Sequence, residues 1–100
     1  MIKHIVMYCL EDVAEGHTKD ENAKKMKTML ELLPDSIEGI IKMEVGINMN
    51  PNGYDCVLYS EFESKQALEA YQQNPEHQQV RKFVHKVIND RVAVDYEVDA

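Results

Sequence analysis

Tryptophan is absent, and glycine, proline and cysteine number only four, three and two in a chain of 100 residues. So little glycine and proline excludes collagen-like and low-complexity chains, and two cysteines cannot build a disulfide scaffold. Basic charge is the other shortage: eleven Lys and Arg face eighteen Asp and Glu, for a formal charge of −7. Nucleic-acid binding rests on neutralising phosphates with a basic face, and docking to anionic lipid uses the same attraction. The charge balance argues against both partners. Apolar runs are only a few residues long, so no membrane span is expected. Met1-Ile2-Lys3-His4 leads straight into a patterned segment and not into a signal peptide, so a cytoplasmic protein is the expectation.

Motifs for cofactor chemistry are missing as well. Gly16, Gly39, Gly46 and Gly53 are isolated, so no glycine loop cradles a phosphate, and no serine occupies a nucleophile elbow. No pair of histidines brackets a carboxylate at zinc-protease spacing, and Cys9 and Cys56 lack zinc-ligand spacing. Within apolar segments, both cysteines read as buried reduced thiols, with a disulfide or a reactive thiol as the alternatives. Asp12, Glu15, Asp20 and Glu21 read as a solvated helix start. No cofactor and no metal are expected.

What is present is patterned apolar sequence, 44% of the chain beside 29% charged residues, enough for a single domain over residues 1–100. Ile2, His4, Val6, Tyr8 and Leu10 share one face of a first strand, and Lys3, Ile5, Met7 and Cys9 the other. Both faces are largely apolar, which predicts a strand buried on both sides. From Thr18 the period becomes helical, with Ala23, Met26, Met29, Leu30 and Leu33 inward and Lys24, Lys25, Lys27 and Glu31 toward solvent. Thr18 with Glu21 is a capping-box signature, and Pro34 stops the helix. Strands follow over residues 40–49 and 54–62, joined at Asn50-Pro51-Asn52-Gly53 as an antiparallel hairpin. Ser64 caps a helix carrying Ala67, Leu68, Ala70 and Tyr71. Asn74-Pro75 opens another that runs through Val80, Phe83, Val84, Val87 and Ile88. The last strand alternates Val92, Val94, Tyr96 and Val98 against Arg91, Ala93, Asp95 and Glu97.

The order βαββα(α)β is the split βαβ, or ferredoxin-like, pattern: an α+β fold whose antiparallel four-stranded sheet carries its helices on one face. Its other face would expose Val92, Val94, Tyr96 and Val98, or Ile5, Met7 and Cys9, as a large apolar patch. A homodimer packed through its sheet faces, a dimeric α+β barrel, removes that patch.

Several blocks in order resemble a known family: Ile2-Lys3-His4-Ile5-Val6, Ser60-Glu61-Phe62-Glu63-Ser64, Leu68-Glu69-Ala70-Tyr71, Pro75-Glu76-His77 and Val94-Asp95-Tyr96-Glu97. They resemble the stress-responsive A/B barrel (Dabb) domain family over nearly the whole chain, residues 2–97. The resemblance implies a ferredoxin-like protomer, a homodimer with a central barrel, and a cavity between sheet and helices in each protomer. Fold alone carries no reaction. The family's plant olivetolic acid cyclase branch closes a linear poly-β-keto thioester by aldol chemistry, with a proposed Tyr and His pair that Tyr71 and His77 match in position.

The chemistry of that pair is coherent. His77 stands in the first turn after the Asn74 cap, where the helix dipole disfavours imidazolium and favours a neutral base. Tyr71 could donate a hydrogen bond to an enolate oxygen. The competing reading is capping by His77 and core packing by Tyr71. His4, Val6 and Tyr8 share the strand face that the family turns to its cavity, and Met26, Cys56 and Leu58 complete the expected ligand pocket. The sequence departs from the family's common His-Pro-x-His block, which is Asn74-Pro75-Glu76-His77 here, with a capping Asn in place of the first His. Asn22 and Ala23 correspond approximately to two aromatics that shape the cyclase's pocket, and Cys56 replaces a His of that enzyme, which implies a pocket of different size and polarity. His17, in a loop before the first helix, and His85, beside Lys82 and Lys86 on the last helix, are expected in solvent. Three functions follow: a dimeric protein of unassigned activity holding an apolar or aromatic small molecule; an enzyme, either cyclase- or isomerase-like through His77 and Tyr71 or a cofactor-independent monooxygenase; or a structural, assembly role.

Overall fold

The computed structural model describes residues 1–99. Chain order runs β1 (Ile2–Leu10), β2 (Val13–Ala14), β3 (His17–Thr18), α1 (Lys19–Glu31), β4 (Ile40–Ile47), β5 (Cys56–Phe62), α2 (Lys65–Gln73), α3 (Pro75–Val87) and β6 (Ile88–Glu97). The four long strands form one antiparallel sheet in the order β4-β5-β1-β6, the ferredoxin-like arrangement. The helices cover one face only.

Helix starts follow from their caps. Thr18 Oγ1 accepts the Glu21 N–H at 3.3 Å while Glu21 Oε1 accepts the Thr18 N–H at 2.9 Å, a reciprocal box for α1. Ser64 Oγ accepts the Ala67 N–H at 3.1 Å to open α2, and Asn74 Oδ1 accepts the Glu76 N–H at 2.8 Å to open α3, with Pro75 at its first position. Pro34 lies in a single 3₁₀ turn, Leu33–Asp35, directly after α1.

Side-chain alternation sets the layers. Ile2, His4, Val6, Tyr8 and Leu10 of β1 and Cys56, Leu58, Ser60 and Phe62 of β5 are buried beneath the helices, as are Ala23, Met26 and Leu30 of α1. Full burial of such an apolar side chain contributes about 1.5–3 kcal/mol. The opposite face differs from the doubly buried strand that the sequence predicts for β1. Met7, Val92, Val94 and Tyr96 are exposed, and the register sets Val92 opposite Met7, Val94 opposite Ile5 and Tyr96 opposite Lys3. Paired residues share a sheet face, so these side chains make one continuous apolar surface.

Three local expectations need correction. The segment before α1 is a small hairpin and not a plain loop, with Glu15 (φ 50°) and Gly16 (φ 78°) both left-handed at its turn; His17 therefore lies in β3. The β4–β5 connection is longer than its turn signal. Asn48 Nδ2 donates to the carbonyls of Asn52 and Tyr54, and its Oδ1 accepts the Asn50 N–H, so β4 ends at Ile47 and β5 starts at Cys56. Lys27 and Glu31 do not merely face solvent. Lys27 Nζ donates to the Val45 carbonyl at 2.7 Å and Glu31 Oε2 accepts the Val45 N–H at 2.9 Å, which occupies backbone groups of edge strand β4.

Candidate functional site

The break between α2 and α3 builds the site. Asn74 takes an extended conformation (φ −66°, ψ 131°), as a residue before proline prefers, so the chain turns sharply there. That turn brings Tyr71, in the last turn of α2, against His77, in the first turn of α3. Their rings stack with centroids 3.8 Å apart and planes at 18°. His77 Nδ1 lies 3.0 Å from the Tyr71 carbonyl oxygen. A carbonyl only accepts, so Nδ1 carries the hydrogen and Nε2 is left with its lone pair. Burial pushes the His77 pKa down from 6.5 to about 4; the bond to Tyr71 opposes this, and the charges of Arg81, His4 and Arg91 add to it. The imidazole is neutral at pH 7.

Tyr71 is 1% exposed, and its hydroxyl has no hydrogen-bond partner among the described residues. Burial raises its pKa well above the ordinary 10. A buried hydroxyl without a partner costs about 1–3 kcal/mol of desolvation, so such groups are few in native proteins; Asn22 Oδ1, away from the cavity, is another here. Phe62 packs against the same ring at a centroid distance of 4.9 Å, its plane tilted by 53°.

His4 is buried, its ring centroid 6.4 Å from that of Tyr71. Its Nδ1 meets the Asp95 carboxylate directly across the β1–β6 pairing, so Nδ1 donates and the ring orientation is fixed. Ser60 Oγ donates to the His4 carbonyl at 2.7 Å.

These groups border a cavity of about 330 Å³ between the sheet and the helices. Its volume lies at the lower end of small-molecule sites. His4, Tyr8 and Leu58 reach it from the sheet, and Tyr71 and His77 from the helices. Val6, Met26 and Cys56 do not border it. Val6 and Met26 are fully closed into the core, and Cys56 is buried where desolvation lifts its thiol pKa to about 11, so it is a protonated core side chain at neutral pH. Burial likewise raises the Tyr8 pKa, against the pull of the Arg91 charge.

Sequence reasoning missed Arg81 and Arg91, which border the same cavity, and His85, which is exposed as expected but stands on its rim. A signal existed for both arginines. Arg81 is one helical turn beyond His77, and Arg91 alternates onto the helix-side face of β6, opposite Tyr8. Only the strand register reveals that second neighbour. Among the described residues no group of three or more His, Cys, Asp or Glu side chains is placed to hold a metal ion, and no helix is long and apolar enough to cross a membrane.

Solved structures share this architecture. A dimeric protein of unknown function with a ferredoxin-like fold from Bacteroides fragilis is 35% identical, with a TM-score of 0.84 over 97% of this chain and 95% of its own. A Dabb family protein from Mesorhizobium loti is 20% identical, with a TM-score of 0.77 over 99% of this chain and 97% of its own. A hydroxynitrile lyase from Passiflora edulis, 13% identical, shares the fold with a TM-score of 0.79 over 98% of this chain and 93% of its own. No functionally curated protein matches the sequence. The stress responsive A/B barrel domain family matches residues 2–98, and the chain belongs to that family.

Proposed function

We propose that this protein is a homodimer, packed sheet face against sheet face, that holds an apolar or aromatic small molecule in the cavity of each protomer. The observation that carries the binding reading is the Tyr71 hydroxyl, buried in a residue that borders the cavity and without a hydrogen-bond partner among the described residues. A ligand oxygen that accepts from it removes a desolvation cost already present in the empty protein. Dimerisation is supported by the exposed face formed by Met7, Val92, Val94 and Tyr96 and by the dimeric Bacteroides fragilis relative.

Thermal unfolding with 2-naphthol, a neutral fused-ring probe, tests this reading. Saturation at about one hundred times Kd stabilises by about 2.7 kcal/mol, a rise of several degrees in Tm. Tyr71→Phe is expected to raise the Tm of the empty protein, because an unpartnered hydroxyl is gone, and to shrink the rise on adding 2-naphthol. A variant that binds 2-naphthol as the parent does would remove the role given to the hydroxyl.

A second reading, acid–base catalysis on the bound molecule, is favoured by the His77 tautomer. Its Nδ1 is committed to Tyr71, leaving a neutral Nε2 to accept a proton. In that reaction Nε2 takes the proton from a carbon between two carbonyls, and the electron pair moves onto an enolate oxygen. The Tyr71 hydroxyl then donates its hydrogen bond to that oxygen.

A further inference from the structure

The chain contains two arginines, Arg81 and Arg91, and both border the cavity. They arrive from different elements, α3 and β6, so their convergence is a property of the fold and not of a basic run. Acidic residues outnumber basic ones in this chain, yet among the described residues neither arginine forms an ion pair; lysines and histidines make all of those found. Carboxylates that could neutralise them are engaged elsewhere. Asp95, on the same face of β6 as Arg91, is bonded to His4. Asp90, next to Arg91, accepts from the Tyr54 hydroxyl at 3.0 Å and from the Arg91 backbone N–H at 2.8 Å.

Among the described residues no Asp or Glu borders the cavity. A protein with a formal charge of −7 thus gathers its two guanidinium groups, without counter-charge, at one concave site. Guanidinium matches carboxylate in shape, offering parallel donors to two oxygens. The site has no glycine-rich backbone cradle of the kind that holds multiply charged phosphates. Farther in, Leu30, Leu58 and Val84 supply apolar wall, and the Tyr71 hydroxyl awaits an acceptor.

We propose that the cavity takes a small organic carboxylic acid, with its carboxylate between Arg81 and Arg91, its apolar body against Leu30, Leu58 and Val84, and an oxygen substituent facing the Tyr71 hydroxyl. This rests on the cavity-binding reading above and adds the class of ligand. The arginines select the charge, and the interior selects the body.

Calorimetric titration at pH 7 compares 2-naphthoate with 2-naphthol, its neutral counterpart of the same ring system, and with 2-naphthyl phosphate. Arg81 and Arg91 are exposed and form no ion pair among the described residues, so Arg81→Gln and Arg91→Gln are expected to fold, which circular dichroism checks. Lys82→Gln removes the same charge from the same helix outside the cavity. The expected result is naphthoate binding about tenfold tighter than naphthol, with each arginine variant weakening naphthoate about tenfold and leaving naphthol unchanged. Lys82→Gln changes neither, and added salt weakens naphthoate alone. Equal binding of naphthoate and naphthol, or equal losses in Lys82→Gln and Arg81→Gln, would overturn the inference while leaving the cavity-binding reading intact. Tighter, arginine-dependent binding of the phosphate would replace the carboxylate class. If neither naphthol nor naphthoate binds, both readings fall.

Discussion

Acid should destabilise this protein through His77, by an amount that the site geometry sets. Above pH 7 the imidazole is neutral in both folded and unfolded chains and contributes nothing. As pH falls, the unfolded imidazole takes a proton near 6.5, while the folded one resists until about 4. The unfolded state then binds more protons, so stability falls as pH drops through that window. At about 1.4 kcal/mol per tenfold change in proton affinity, the full interval corresponds to about 3 kcal/mol. His77 borders the cavity, so solvent screening takes part of this and leaves about 2 kcal/mol. Carboxylates that the fold favours ionised, such as Glu21 held by Thr18, add their own acid loss. The informative quantity is therefore the difference between the parent and His77→Gln, in which the amide can still donate to the Tyr71 carbonyl. Urea denaturation at pH 7.5 and pH 4.5, at one fixed protein concentration, should show the parent losing about 2 kcal/mol more than the variant. Equal losses would refute the argument, and so would an NMR titration placing the His77 midpoint near 6.5.

Two further outcomes follow from the same structure. Val94→Asp puts a charge at the middle of the exposed sheet face, where Val94 is 60% exposed in the single chain and opposite Ile5. Desolvating that carboxylate in an interface costs several kcal/mol, about enough to dissociate the dimer, so light scattering should give the monomer mass with unchanged circular dichroism; a dimer that persists would place the interface elsewhere. For the catalytic reading, deuterium exchange at the central carbon of acetylacetone should be accelerated by the parent protein and lose about a hundredfold or more in His77→Gln, followed by proton NMR. Acceleration that survives the substitution would exclude His77 as the base.

The parts of this fold legible in sequence are those governed by near neighbours. Thr18 with Glu21, Ser64, and Asn74-Pro75 each announce a helix start, because a cap needs only a side chain and an N–H two or three residues on. Alternation in β1 and β6 likewise separates two faces. What stays hidden depends on register and on three-dimensional convergence. Arg91 meets the cavity because β6 pairs with β1 so that it lies opposite Tyr8, and the same pairing joins Asp95 to His4. Strand alternation cannot reveal which partner lies opposite. Val6 shows the converse: it shares a face with His4 and Tyr8, yet the packed core closes over it while its neighbours reach open space. The hairpin before α1 was obscured because Glu15-Gly16 is not a strong hairpin turn signal, although both residues adopt left-handed backbone.

In the proposed reading, Tyr71, His77 and the two arginines organise the space between sheet and helices as a ligand site. An NMR titration of the isotopically labelled protein with 2-naphthoate tests it most directly. Saturable shifts are expected at His4, Tyr8, Tyr71, His77, Arg81 and Arg91, with little change at Met7, Val92 and Val94 on the opposite face. Shifts confined to that opposite face, or no saturable shift at all, would contradict it.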